Sequence, residues 1–139
     1  MVRKLIPDVV HDQRLLTLSP TATVRDAARK MAKRDVRSVL VKDHGRLVGI
    51  FTGTDLISRV VAPGLDPDTT TLREVMTANP ATIEYDSHAI EALRRMEAGR
   101  HRHLPVVHDQ KLVGILSRRD FLGYEIDEIE RQAKIWEEV

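Results

Sequence analysis

The chain has 139 residues, 42% of them apolar and 31% charged, with 22 Lys and Arg against 21 Asp and Glu and a net charge of +1. That balance leaves no global field for DNA, RNA or an anionic membrane, and the length fits one globular unit that can bury roughly 68% of its unfolded surface. The absence of cysteine excludes disulfides, thiol catalysis and thiolate metal sites and fits a reducing cytoplasm, and no apolar run reaches the length of a bilayer span or a signal-peptide core.

Leu15-Leu16-Thr17-Leu18 predicts a short extended piece, ended by Ser19-Pro20. Val24, Ala27, Ala28 and Met31 then recur at i, i+3, i+4, i+7, with Arg25, Asp26, Arg29 and Lys30 outward. This is the stripe of an amphipathic helix, and Thr23 is placed to cap its first amides. Val39-Leu40-Val41 predicts a buried strand, Asp43-His44-Gly45-Arg46 a turn, and residues 47–51 a second strand. A second helix is predicted from near Thr54, carrying Leu56, Ile57, Val60 and Val61. Residues 62–70 read as a loop by their Pro and Gly content, and Thr71-x-x-Glu74 predicts a capping box opening one helical turn that ends at Met76. The series then returns: Thr82-Ile83, a helix over Ala89, Ala92, Leu93 and Met96, a strand over 104–107, a turn over 108–111 and a strand over 112–116. In the tail, Leu122, Ile126, Ile129, Ala133 and Trp136 recur at spacings of four and three, an a/d-type seam on a terminal helix. The seam reads as a helix folded back on its own domain or as a contact with a partner, and Trp136, beyond both repeats, favours the partner.

The second series is the first one again, 65 positions on. Residues 17–56 and 82–121 align without a gap and agree at Thr17/Thr82, Ala27/Ala92, Arg29/Arg94, Met31/Met96, Arg37/Arg102, Val41/Val106, Leu47/Leu112, Val48/Val113, Gly49/Gly114, Ile50/Ile115 and Asp55/Asp120, eleven identities in forty positions. Two copies are too few for a solenoid. Strand–helix–strand–strand–helix, taken twice, predicts an α/β fold (α+β in some schemes) of two β-α-β-β-α repeats related by pseudo-two-fold symmetry, with two related clefts. The expected divisions are repeat 1 over 10–62, a linker and short helix over 63–76, repeat 2 over 77–124 and an amphipathic C-terminal helix over 125–139.

The sharpest matches are Gly49-Ile50-Phe51-Thr52-Gly53-Thr54-Asp55 and Gly114-Ile115-Leu116-Ser117-Arg118-Arg119-Asp120. Each is a strand that loses its side chain at Gly, so that a ligand or another stretch of backbone can approach, followed by a hydroxyl and then a carboxylate at a helix start. Free amides at a helix N-terminus suit phosphate, Thr52 or Ser117 can donate to it, and a carboxylate accepts from paired ribose hydroxyls. The spacing therefore suggests a nucleoside phosphate. It equally fits the capping box [ST]-x-x-[DE] that starts helices with no ligand present. Two copies with the same upstream glycine and strand pair favour the ligand.

These residues resemble the CBS domain, named for cystathionine β-synthase, in its tandem form. Arg102-His103-Leu104-Pro105-Val106-Val107 followed by residues 112–120 is similar to that domain's closing half, and residues 75–82 to its opening; the likeness spans about 10–124. It implies two repeats paired through their sheets, with clefts for adenine nucleotides or adenosyl compounds: AMP or ATP, with NAD(H) and S-adenosylmethionine as further candidates. The resemblance gives the phosphate-contacting hydroxyl to Thr52 and Ser117 and the ribose to Asp55 and Asp120. It gives the base pockets to Thr17, Ser38 and Val39 in one cleft and to Thr82, His103 and Leu104 in the other, and Arg119 joins the nucleotide-binding set. The first copy departs from the pattern, with His11-Asp12 against Met76-Thr77, Leu40 against Pro105 and no Arg118-Arg119 pair, so its cleft is expected to be the poorer site.

A strand puts His101 and His103 on one face, but His108 with Asp109 lies beyond it in a turn and no pattern of outer hydrogen-bonding partners is visible, which argues against a metal site. No nucleophile or acid–base pair is assembled, so no enzyme and no catalytic cofactor are expected. The chain reads as a cytoplasmic sensor that binds an adenosyl ligand and signals by a shape change to a separate effector protein. Its apolar helix faces (Leu56, Val60, Val61; Phe121, Leu122) predict a homodimer. The alternatives are a ligand-free structural dimerisation module and a nucleic-acid module using Arg100, Arg102, Arg118 and Arg119; a membrane role is not expected.

Overall fold

The computed structural model describes residues 2–10 and 13–137, with side chains as far as Ile135. It divides into two compact units, Arg14–Pro80 on one hand and Met1–Gln13 with Ala81–Val139 on the other. Each is a small sheet with helices packed on it, the mixed α/β arrangement that the repeat predicts.

In the contiguous unit, β1 (Thr17–Leu18) runs parallel to β2 (Ser38–Asp43), and β2 antiparallel to β3 (Arg46–Thr52). α1 (Val24–Arg34) makes the crossover between β1 and β2. Thr23 caps it as predicted, its Oγ1 accepting the Asp26 N–H at 3.1 Å, and Val24, Ala27 and Met31 form the buried stripe. α2 opens over Gly53–Asp55 and continues as a wider-wound stretch over Leu56–Val61. Its apolar face is split: Val60 is buried in the unit's own core, while Ile57 and Val61 are each 66% exposed.

In the other unit, β5 (Ile83–Glu84) is parallel to β6 (His103–His108), which is antiparallel to β7 (Lys111–Ser117). Residues Ala89–Gly99 form α4, whose buried Ala89, Ala92, Leu93 and Met96 repeat the stripe of α1. The internal likeness reaches into backbone detail. Both hairpins carry a register shift at equivalent places, Val41/Lys42 and Val106/Val107. Both turn through two left-handed residues, His44 and Gly45 in one and Asp109 and Gln110 in the other, the turn whose twist suits antiparallel strands. Both long helices end on a left-handed residue, Asp35 or Arg100. The next amide bonds back in each, Val36 to the Met31 carbonyl and His101 to the Met96 carbonyl, a Schellman-type stop made without glycine.

Three features depart from the sequence reading. The segment ahead of each repeat is housed with the other repeat. Between α2 and β5 lies α3 (Leu72–Val75), opened by the predicted capping box with Thr71 N–H on Glu74 Oε2 at 2.7 Å. It is followed by β4 (Thr77–Ala78), which adds to the edge of β3. Leu72 and Val75 are buried in that first core. Reciprocally, the stretch before β1 joins the second unit. Leu5–Val9 form one wide turn closed by Val10 N–H on the Leu5 carbonyl at 2.8 Å, and Leu5 and Val10 are buried beside Ile83, Leu93 and Met96. Val10 and Val75 are equivalent in the repeat, so the exchange is symmetric in sequence. The predicted elements begin only at Leu15, so the core residues Leu5 and Val10 lie ahead of all of them.

The second departure follows β7. The second copy does not run from Asp120 into a helix. It makes a single tight turn over Arg118–Asp120, Phe121 is extended, and a fresh helix, α5 (Gly123–Glu137), begins. Phe121 is 7% exposed and joins the core, so the break lets a large ring in where a continuous helix would have carried it round. The third concerns the tail seam. Ile129 is buried in the second unit's core with Ile126 packed on it, and Arg94 reaches Gln132 at 3.1 Å. This part of α5 folds back on its own unit, against the partner reading; Leu122 and Ala133 are exposed. The Trp136 side chain, which motivated the partner reading, and His11-Asp12 lie outside the described residues.

Candidate functional site

Strand register brings the predicted residues together within each unit. Ser38 stands opposite Thr52, and His103 opposite Ser117, so each motif hydroxyl shares a strand end with one base-pocket candidate. Val39 and Leu104 follow on the same strands and are fully buried in the cores of their own units, so as the strands stand neither faces a ligand. Thr17 lies beside Leu40 in the parallel pair and is exposed. Thr82 is half-buried, and its carbonyl accepts from Arg95 Nη1 at 2.8 Å.

Both motifs close on themselves as capping boxes. Asp55 Oδ2 accepts the Thr52 N–H at 2.9 Å and the Thr52 hydroxyl at 3.1 Å, while Thr52 Oγ1 accepts the Asp55 N–H at 3.3 Å. The other oxygen, Oδ1, faces Arg59 Nε at 3.7 Å, and Asp55 is only 8% exposed. In the second copy Asp120 Oδ2 accepts the Ser117 N–H at 2.7 Å, and both halves of the box are present. Here the helix-terminus argument for phosphate changes, because a three-residue turn has no helix dipole behind it. What remains for a ligand is the hydroxyl, the carboxylate and the nearby cations.

The glycines of the two motifs serve the exchanged segments. A Cβ at Gly49 would overlap the Met76 side chain, and one at Gly114 would stand 2.8 Å from Val10 Cγ1 and 3.2 Å from Gln13 Oε1. Gln13 completes the parallel. Its amide donates to the Ile115 carbonyl at 3.0 Å and accepts the Ile115 N–H at 2.8 Å. A side chain thus gives the edge of β7 the pairing that β4 gives β3 at Ile50. The close approach predicted at each Gly is real, and what approaches is the protein itself.

Beside the second motif lies a cavity of about 510 Å³ lined by Met96, Glu97, Arg100, His101, Arg102 and Arg118. The Arg118 N–H bonds to the Arg102 carbonyl at 3.2 Å, tying this cavity to the strand end that carries Ser117. Of the Arg118-Arg119 pair, it is Arg118 that lines the cavity, in an ion pair with Glu97, while Arg119 is exposed. Glu97 escaped the sequence reading because it sits on the polar face of α4, where a carboxylate looks like any solvated charge.

Below the motif, Arg3 spans three elements. Its guanidinium donates to the Asp120 carbonyl at 3.0 Å and to both oxygens of Glu125, at 2.7 and 3.3 Å. Glu125 also accepts the Leu122 N–H at 2.8 Å, restarting the helix, and is 2% exposed. Its hydrogen bonds hold the Arg3 guanidinium above the usual arginine range. Among the described residues no group of His, Asp and Glu is placed to hold a metal, and no helix is long and apolar enough to cross a membrane.

A mixed sheet repeated twice, each copy ending in a hydroxyl-x-x-carboxylate box, is the pattern of one family, and its family model (CBS domain) matches residues 5–62 and 72–127. The chain belongs to the CBS-domain family and carries two such domains in tandem. It is similar to the CBS domain-containing protein CBSCBSPB2 of Arabidopsis thaliana, 42% identical over 120 residues, which covers 86% of this chain and 22% of that protein. The chain thus spans about a fifth of the length of such Arabidopsis relatives. Among solved structures it resembles the CBS domain protein PAE2072 from Pyrobaculum aerophilum complexed with AMP, at a TM-score of 0.79 and 26% identity over 93% of this chain and 98% of that one. It also resembles the hexameric CBS-CP12 protein from bloom-forming cyanobacteria, at a TM-score of 0.73 and 27% identity over 88% and 78%.

Proposed function

We propose that this tandem CBS chain is a regulatory module, not an enzyme, that binds an adenine nucleotide or related adenosyl ligand and passes the resulting change of shape to a partner. The observation that carries this is register: in both units a strand pair sets a motif hydroxyl and carboxylate beside a base-pocket candidate, Ser38 with Thr52 and Asp55, and His103 with Ser117 and Asp120. The AMP complex of the similar PAE2072 supports the ligand class. AMP and ATP lead the candidates, with NAD(H) and S-adenosylmethionine behind them. The proposed setting is the cytoplasm, in keeping with the cysteine-free sequence, and the proposed assembly is a homodimer acting through a separate effector.

A thermal-shift panel of AMP, ADP, ATP, NAD(H) and S-adenosylmethionine tests the reading, because a ligand held only by the folded state raises the melting temperature. At least one should stabilise the protein. A flat panel would instead support a second reading, a structural module whose boxes are helix caps alone, which the closed geometry of both boxes favours.

A further inference from the structure

The cavity beside the second motif is built differently from its equivalent in the first. Three guanidiniums (Arg100, Arg102, Arg118) and one imidazole (His101) face a single carboxylate, Glu97. The repeat places Asp35, Arg37, Gly53, Val36 and Ala32 at the corresponding positions, so the cationic wall belongs to one copy. Among the described residues Arg100 and Arg102 have no ion-pair partner. Arg100 also sits in the left-handed region at φ 55°, where the Cβ of any residue but glycine crowds the following carbonyl. His101 is seated against the end of α4 only because Gly99 has no side chain: a Cβ there would lie 2.5 Å from the imidazole. Unpaired guanidiniums gathered round a cavity at a strand end form an anion site by their chemistry, since forked donors match phosphate oxygens.

We propose that this cavity takes the terminal phosphates of a polyphosphorylated ligand, and that the Glu97–Arg118 ion pair is its gate. This rests on the nucleotide reading, with the ribose and first phosphate at the Ser117–Asp120 motif next door and the base on the side of Thr82 and His103. Without ligand, Glu97 holds Arg118 and sets a negative charge against an incoming phosphate. A chain of two or three phosphates offers more charge than Glu97 does, draws Arg118 across and leaves the carboxylate to solvent, to which it is already 40% exposed. A monophosphate or an unphosphorylated nucleoside does not reach the pair. The gate therefore selects by phosphate count, and only in the second copy.

Calorimetry with adenosine, AMP, ATP and inorganic tripolyphosphate, on wild type, Glu97→Gln and Arg118→Ala, tests this. Both positions are well exposed, so melting curves should confirm that the variants fold. Glu97→Gln should tighten ATP and tripolyphosphate roughly tenfold and Arg118→Ala should weaken both by a similar factor, the scale of one charge-assisted hydrogen bond. Adenosine and AMP should be unmoved in every variant, and an AMP affinity that shifts with ATP would overturn selection by phosphate count. If the variants leave ATP and tripolyphosphate unchanged while ATP binds, the gate is wrong and the nucleotide reading stands. If tripolyphosphate follows the expected pattern but adenosine adds nothing to it, the gate stands and the nucleotide reading falls. No binding of either ATP or tripolyphosphate would overturn the gate outright.

Discussion

Gly49 and Gly114 occupy the same place in the repeat, yet their neighbours differ in stiffness. Met76, over Gly49, is unbranched and can withdraw its sulfur, whereas Val10, over Gly114, is β-branched and buried. Gly114→Ala should therefore cost about 1–3 kcal/mol, the usual penalty for overpacking, and Gly49→Ala distinctly less. Denaturant unfolding of the two variants measures the difference, and equal losses would mean that Val10 yields as easily as methionine. The carboxylates of the two boxes allow a second test at this scale. Asp120→Asn retains an acceptor for the Ser117 amide but loses the charge that ribose hydroxyls favour. Nucleotide affinity should fall by about 1–3 kcal/mol with little change in unliganded melting. A loss of stability with no loss of affinity would assign Asp120 to capping alone. Asp55→Asn should follow more weakly, since Asp55 is already engaged by the Thr52 hydroxyl and faces Arg59.

Among the elements, those written in local chemistry were legible. The caps at Thr23 and Thr71, the hairpin turns and the stripes of α1 and α4 each depend on residues a few positions apart, which periodicity and turn residues report directly. The wide turn over Leu5–Val9 was not, because its apolar residues are covered by α4 and the sheet of the second repeat, and a short apolar patch carries no sign of a distant partner. The break at Phe121 was hidden for a related reason: Leu122 and Phe121 fit a continued helix, and what interrupts it is Glu125, anchored by Arg3 from the other end of the chain. That pair makes its own prediction. Arg3→Ala would leave Glu125 buried without its cation, a loss of about 3 kcal/mol at the low end for broken buried pairs, given that Arg3 partly reaches solvent. Adding Glu125→Gln should return part of it, since the stranded charge is then gone. Strictly additive losses in thermal unfolding would show that the pair is not coupled.

For the whole molecule, the exposed apolar residues indicate where self-association can act. Val60 and Phe121, two of the residues expected to drive it, are satisfied within their own units, leaving Ile57, Val61 and Leu65 on one unit and Leu122, Tyr124 and Ile135 on the other. If the proposed dimer uses the α2 face, Ile57→Asp with Val61→Asp should move the light-scattering mass from twice 15.8 kDa to that value, and Leu122→Asp with Ile135→Asp, at exposed tail positions, should not. The reverse result would return the interface to the tail.

The reciprocal housing of the two leading segments has a consequence for the newborn chain. The first unit's buried core lies within Arg14–Pro80, so it can close while the rest is still being made, and that stretch expressed alone should give a cooperative melt. The second unit cannot. Arg3 must wait for Glu125, 122 positions behind it, and Leu5 and Val10 wait with it for the strands and helix that cover them. Translation at about 5–20 residues per second makes that a delay of roughly 6–24 seconds. Throughout it a greasy leader is available to any chaperone, or to the completed second half of a neighbouring chain, and the same register that ties the molecule to itself could then tie two molecules together.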